Sequence, residues 1–140
     1  MKETLLAQDV IRQFQERCEV AMLATVEDNK PRIRPMEPLM IDGNVLWMAA
    51  GAKSSKMTQI ATNPHVELCY MDDEGRHLRL AGAAQLVDDP AIKEQLWQEH
   101  PILKEYFSSS RSPDYRLIKV VLNEALLMEE KDENYQTLQM

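Results

Sequence analysis

Cysteine is nearly absent from this 140-residue chain: Cys18 and Cys69 are the only two, far apart in sequence. They form no Cys-x-x-Cys and have no histidine at ligand spacing, which excludes a disulfide framework and a zinc site of ordinary spacing. Both read as small buried hydrophobes. Positive charge is also short, with 16 Lys and Arg against 23 Asp and Glu and a net charge of −7. An acidic chain lacks the many cationic contacts that a nucleic-acid backbone requires, so DNA and RNA are not expected partners. No apolar run approaches transmembrane length, and charges break the N-terminal stretch Met1 to Asp9 too early for a signal peptide. The expected location is therefore cytoplasmic, with no membrane partner. No internal repeat is present.

What remains is an ordinary globular composition, 44% hydrophobic and 28% charged, of a length that suits one domain over 1–140. Against the acidic background one stretch stands out. Between Lys30 and Lys56 five cations, Lys30, Arg32, Arg34, Lys53 and Lys56, face only Glu37 and Asp42. Its second half reads as a strand, Val45 to Ala49, a small-residue loop, Ala50 to Ala52, and a helix start at Lys53-Ser54-Ser55-Lys56. Backbone N–H groups, the helix dipole, two hydroxyls and two lysines would converge there on an anion. The alternative is a solvated helix start, although cations at that end oppose the dipole.

The first half predicts an extended strand from Arg32 to Ile41, throwing Arg32 and Arg34 to one face and Ile33 and Pro35 to the other. Pro35 and Pro38 remove ladder donors, which suits an edge or a bulge. One consequence would be free backbone groups at Arg34 and Met36 to meet a flat heterocycle; the other reading is an edge protected by proline. If this strand pairs with Val45–Ala49, Arg34 falls at the mouth of the anion site. Trp47, Met36, Met40 and Met48 cluster near the same stretch, as core or as an adaptable interface.

Elsewhere the pattern predicts an N-terminal helix within 1–18, a buried strand Val20–Val26, and a turn at Glu27-Asp28-Asn29. A helix capped by Ser54 or Ser55 should run to Pro64. Strands His65–Met71 and Arg76–Val87 follow, the second with Gly82 marking a bend or close backbone approach. A helix over Ala91–Glu99, strands at Leu117–Leu122 and Glu124–Met128, and a frayed polar tail over 129–140 complete the chain. The expected architecture is mainly β (α+β), an antiparallel barrel of six to seven strands with flanking helices.

The segments Ala24-Thr25-Val26, Lys30-Pro31-Arg32-Ile33-Arg34-Pro35-Met36 and Lys56 followed by Gln59-Ile60-Ala61-Thr62-Asn63-Pro64 carry a family resemblance over about Glu19 to Leu86. The chain resembles the FMN-binding split barrels of the pyridoxamine 5′-phosphate oxidase-like superfamily, nearer its general-stress-protein and nitroimidazole-resistance branches than the oxidase itself. The resemblance implies a Greek-key split barrel, FMN as cofactor, a homodimer with the flavin at the subunit interface, and a small-molecule substrate. It implies Lys56 on the phosphate with Lys53, Ser54 and Ser55 close by, Arg34, Pro35 and Met36 along the isoalloxazine edge, and Arg32, Trp47, Met48 and Ala49 in the surrounding site. His77 would reach the flavin of the neighbouring subunit, or else be a surface residue after a turn. No metal and no catalytic residue is assigned.

Two departures matter. Ala49 and Ala50 stand where the family has a hydroxyl or an aromatic, so a phosphate or ring contact is missing unless Ser54 and Ser55 replace it. No tryptophan follows Trp97 and only Lys119 and Lys131 are basic after Arg116, so true pyridoxamine phosphate oxidase activity is not expected. An FMN-dependent oxidoreductase is the first reading. A non-catalytic flavin or haem barrel, or a dimeric barrel without cofactor, is the alternative.

Overall fold

A computed structural model describes residues 5–129 and 134–140. The first residues of the expected N-terminal helix and residues 130–133 of the expected tail lie outside that range. Helix α1 (Ala7–Arg17) leads into strands β1 (Ala21–Glu27), β2 (Lys30–Met36), β3 (Met40–Asp42) and β4 (Val45–Gly51). Helix α2 (Ser55–Thr62), strands β5 (His65–Met71) and β6 (His77–Val87), helices α3 (Pro90–Glu99) and α4 (Leu103–Tyr106), β7 (Tyr115–Met128) and the two-residue β8 (Gln136–Thr137) follow.

All strand pairs are antiparallel, in the order β2-β1-β5-β6-β7-β4-β3 with β8 on β7. The sheet does not close. Alternate residues of its strands converge with Val10, Ile11 and Phe14 of α1 and Met57 and Ile60 of α2 in one core, so the sheet curls around a single interior. A second cluster lies on the other face of β4 and β7, where α3 and α4 cover Trp47, Tyr115 and Leu117. Asp89 caps α3 by accepting from the Ile92 N–H, and Pro90 follows at a position needing no donor.

Three expectations change. The stretch Arg32–Ile41 is two strands, and they occupy opposite edges: among the described residues β2 pairs only with β1 and β3 only with β4. Pro38, which has no N–H, ends the first before the ladder to Trp47 begins at Leu39. The hairpin loop Asp28-Asn29, both at positive φ, makes Glu27 and Lys30 the closing pair. By that register Arg34 and Met36 bond inward to β1, and it is Pro31, Ile33 and Pro35 whose backbone faces the open edge.

The two strands expected at Leu117–Leu122 and Glu124–Met128 are one. The register against β6 shifts between Ala81 and Gly82, where Leu122 and Glu124 are the partners and Asn123 is left over. Inward residues are Ile118, Val120 and Leu122 before this bulge and Ala125 and Leu127 after it. Gly82 is required there, because a Cβ would sit 2.3 Å from the Val121 carbonyl oxygen. Nor is the tail frayed over its described part: β8 pairs with β7, Leu138 joins the main core, and Gln139 bridges to Leu6.

Candidate functional site

The gap between edges β2 and β3 is where Glu37-Pro38-Leu39 crosses, and a cavity of about 400 Å³ opens beside it. Pro35, Met36, Glu37 and Leu39 form one wall, and Ala49, Ala50, Gly51 and Lys56 the second. Ile102, Leu103, Tyr106 and Phe107, from α4 and its flanks, form the third. Asp114 closes the rim and ties down the β4–α2 loop, since its Oδ1 and its backbone oxygen both accept from the Ala52 N–H at 3.1 and 2.9 Å. The space matches a small ligand with an apolar body.

Arg34 sits on the inward face of β2 and is held at three points. Its Nη1 donates to the Thr25 hydroxyl at 2.7 Å and more weakly to the Leu23 carbonyl at 3.4 Å; its Nη2 donates to Gln59 Oε1 at 2.6 Å. Burial lowers the guanidinium's pKa, and Glu27 partly opposes this. Lys56 is half-buried, with no carboxylate against it among the described residues. Its pKa is lowered first by burial and then by Arg34. Two cations thus share a desolvated corner, an arrangement that an incoming anion would relieve.

The start of α2 is equally unsatisfied. Ser54 stands at the N-cap position, yet its hydroxyl donates back to the Gly51 carbonyl at 2.9 Å and caps no N–H; the first turn holds no acidic residue. Lys53 and Ser55 are exposed around it. The helix end therefore keeps unbonded donors and its dipole for a ligand. Glu37, on the opposite wall, has its carboxyl pushed up by burial and then by Glu19, with His100 opposing.

Of the residues singled out from sequence, Pro35, Met36, Ala49 and Lys56 line the cavity, Arg34 lies near Lys56 outside that lining, and Lys53, Ser54 and Ser55 stand at the adjoining helix start. Arg32 is exposed and pairs with Glu27 at 3.4 Å, outside the cavity. Met48 is fully buried in the main core and Trp47 in the second, with Lys119 over its ring. His77 meets the Tyr135 hydroxyl at 2.8 Å under a perpendicular ring contact. The two alanines diverge: Ala50 turns into the main core, and Ala49 packs against the cluster under α3 and α4.

The sequence reading assigned no role to Thr25, Gln59 or the α4 wall. Gln59 was detectable in principle, being three residues after Lys56 on the same helix and so on the same side. No signal marked Tyr106 or Phe107, because their arrival depends on how α4 folds back over β4.

A family model described as Pyridoxamine 5′-phosphate oxidase matches residues 7–129. No curated protein sequence matches the chain significantly. Among solved structures, a NimC/NimA family protein from Clostridium acetobutylicum is 24% identical with a TM-score of 0.83, over 94% of this chain and 90% of that one. General Stress Protein 26 from Bacillus anthracis is 23% identical with a TM-score of 0.78, over 94% and 98%. A heme binding protein from Mycobacterium smegmatis is 11% identical with a TM-score of 0.74, over 99% of this chain and 60% of that one. At these identities the likeness is one of fold.

Proposed function

Because the chain belongs to the pyridoxamine 5′-phosphate oxidase family, with the split-barrel fold of its NimC/NimA and general-stress-protein branches, we propose that it is a flavoprotein that binds FMN and acts as an oxidoreductase on a small substrate. The observation that carries the reading is the meeting of Arg34 and Lys56, two desolvated cations with no salt bridge among the described residues, beside an uncapped helix start. A phosphate of two negative charges fits that donor set. Lys56 and the first turn of α2 would hold it, with Lys53, Ser54 and Ser55 around it. Arg34, Pro35 and Met36 would lie along the ring.

The bound flavin supplies a centre that accepts or gives two electrons. The chain's share is to orient and to dehydrate: Arg34 would offer a fixed positive charge at the ring edge, and Ile102, Leu103 and Phe107 would cover the apolar side. Ser54 does not replace the hydroxyl missing at Ala49 and Ala50, since its own is turned to Gly51, which leaves Ser55 as the one candidate. Affinity then rests mainly on charge and backbone N–H groups, and FMN should dissociate more readily than from sites that keep the hydroxyl.

The test is a titration with FMN and with riboflavin, followed by desalting and a visible spectrum. Retained flavin bands, with riboflavin bound at least roughly tenfold more weakly for want of the phosphate, support the reading. No binding, or equal binding, overturns it. Reduction of the loaded protein by NADH or NADPH without oxygen separates an enzyme from a carrier. Pyridoxamine phosphate turnover should be absent, as the C-terminal tryptophan and arginines of true oxidases are missing.

A haem reading is favoured by one neighbour of this fold whose name states haem binding. Here the cavity wall offers Tyr106 and Met36 but neither histidine nor thiol as an axial ligand. A Soret band after haem addition, in place of flavin retention, would favour it.

A further inference from the structure

The network behind Arg34 has a direction, and it starts at Glu27. That carboxylate only accepts, so the Gln59 group 3.1 Å away from its Oε2 is the amide nitrogen, and the amide oxygen turns inward. There Gln59 Oε1 accepts from the Thr25 hydroxyl and from Arg34 Nη2, each at 2.6 Å, while Arg34 Nη1 donates to the same hydroxyl. Thr25 is 1% exposed and Gln59 6%, so water competes for neither. The end of the guanidinium is thereby fixed, and its Nε–H and outer Nη2–H have no partner among the described residues. Those two donors form the side-on fork that suits a planar or anionic acceptor.

The identity of residue 59 matters chemically. A carboxylate there would accept the same hydrogen bonds and also pair with Arg34, cancelling the charge that the site offers. Glutamine accepts without neutralising. Glu27, which is charged, is kept one hydrogen bond further away.

We propose that Gln59 is a positioning residue of the cofactor site, a neutral acceptor that aims Arg34 while leaving its charge and its free edge to the ligand. This rests on the flavin reading and adds a residue that acts only through Arg34. Because α2 carries both Gln59 and Lys56, one helix sets the two cations relative to each other.

The experiment compares wild type, Gln59→Leu and the double variant Gln59→Glu with Glu27→Gln by FMN titration, by the flavin midpoint potential and by the urea midpoint. Gln59→Leu should bind FMN roughly tenfold more weakly, the scale of one lost charged hydrogen bond. Gln59→Glu, made together with Glu27→Gln so that their 3.1 Å contact does not join two carboxylates, keeps the acceptors and should stay folded, yet bind FMN more weakly and hold it at a lower potential, because its charge falls on Arg34. A purely structural role would move the urea midpoint and leave affinity and potential alone. Wild-type affinity in folded Gln59→Leu, or wild-type affinity and potential in the double variant, overturns the proposal while the flavin reading stands. Wild-type protein that takes up no FMN overturns both.

Discussion

At the scale of single residues the site is a set of costs that a ligand would refund. Lys56 is charged, half-buried and beside Arg34, and burial and that like charge lower its pKa. A lysine with a lowered pKa holds fewer protons folded than unfolded, so the ligand-free protein gains stability as pH rises through the lowered value towards 10.5. Lys56→Met should remove that rise and lift the ligand-free melting temperature by roughly 1–4 °C, the usual gain when a functional compromise is deleted. The same variant should lose FMN affinity by roughly 30-fold or more, and riboflavin affinity much less. Calorimetry across pH and paired titrations read both. A flat pH response in wild type would mean the lysine is well solvated. Arg34→Ala should lower the flavin potential by about 30–60 mV, the two-electron equivalent of one charged hydrogen bond, in a redox titration.

At the scale of elements, β7 shows what periodicity conveys and where it fails. Inward positions run Ile118, Val120, Leu122, then Ala125 and Leu127. The change of phase at Asn123 broke the pattern into two strands on paper, whereas the backbone absorbs it as one bulge facing Gly82. Asn123→Ala at this exposed position should alter stability by no more than about 0.5 kcal/mol. Deleting Asn123 should leave a folded protein by circular dichroism, because the Leu122–Gly82 and Glu124–Ala81 pairs then follow without a break and Ala125 and Leu127 stay inward. Gly82→Ala, forced on the Val121 carbonyl, should cost about 1–3 kcal/mol in urea unfolding. Local patterns were readable wherever residues answer to their own neighbours: His65–Met71 has the expected limits, and charge and dipole marked the stretch holding Arg34 and Lys56, whose separate roles came from the family resemblance. Placement across the fold was not. Nothing local says that β2 and β3, three residues apart, end on opposite edges, or that Trp47 lies under α3 and α4 while Gln59 lies under Arg34.

At the scale of the molecule, helices cover one part of the sheet's outer face and leave another bare. The cross-strand register places Ile33 beside Ala24, Pro35 beside Met22, and Met22 beside Cys69, all on the face opposite the main core. Ile33 is 67% exposed, Met71 69% and Met22 39%. The apolar residues adjoin the β2 wall of the cavity, which Pro35 and Met36 line. Contiguous apolar surface at the rim of a ligand site is what a second subunit would cover, and dimers are common in this family. Wild type is therefore expected to sediment as a dimer at micromolar concentration. Ile33→Glu, which puts a charge into that apolar surface without touching Arg34 or Lys56, should yield a folded monomer. If the partner completes the flavin site, that monomer should also bind FMN more weakly although every cationic residue is intact. A wild-type monomer would remove the interface, and a monomeric variant with unchanged FMN affinity would place the whole site within one chain.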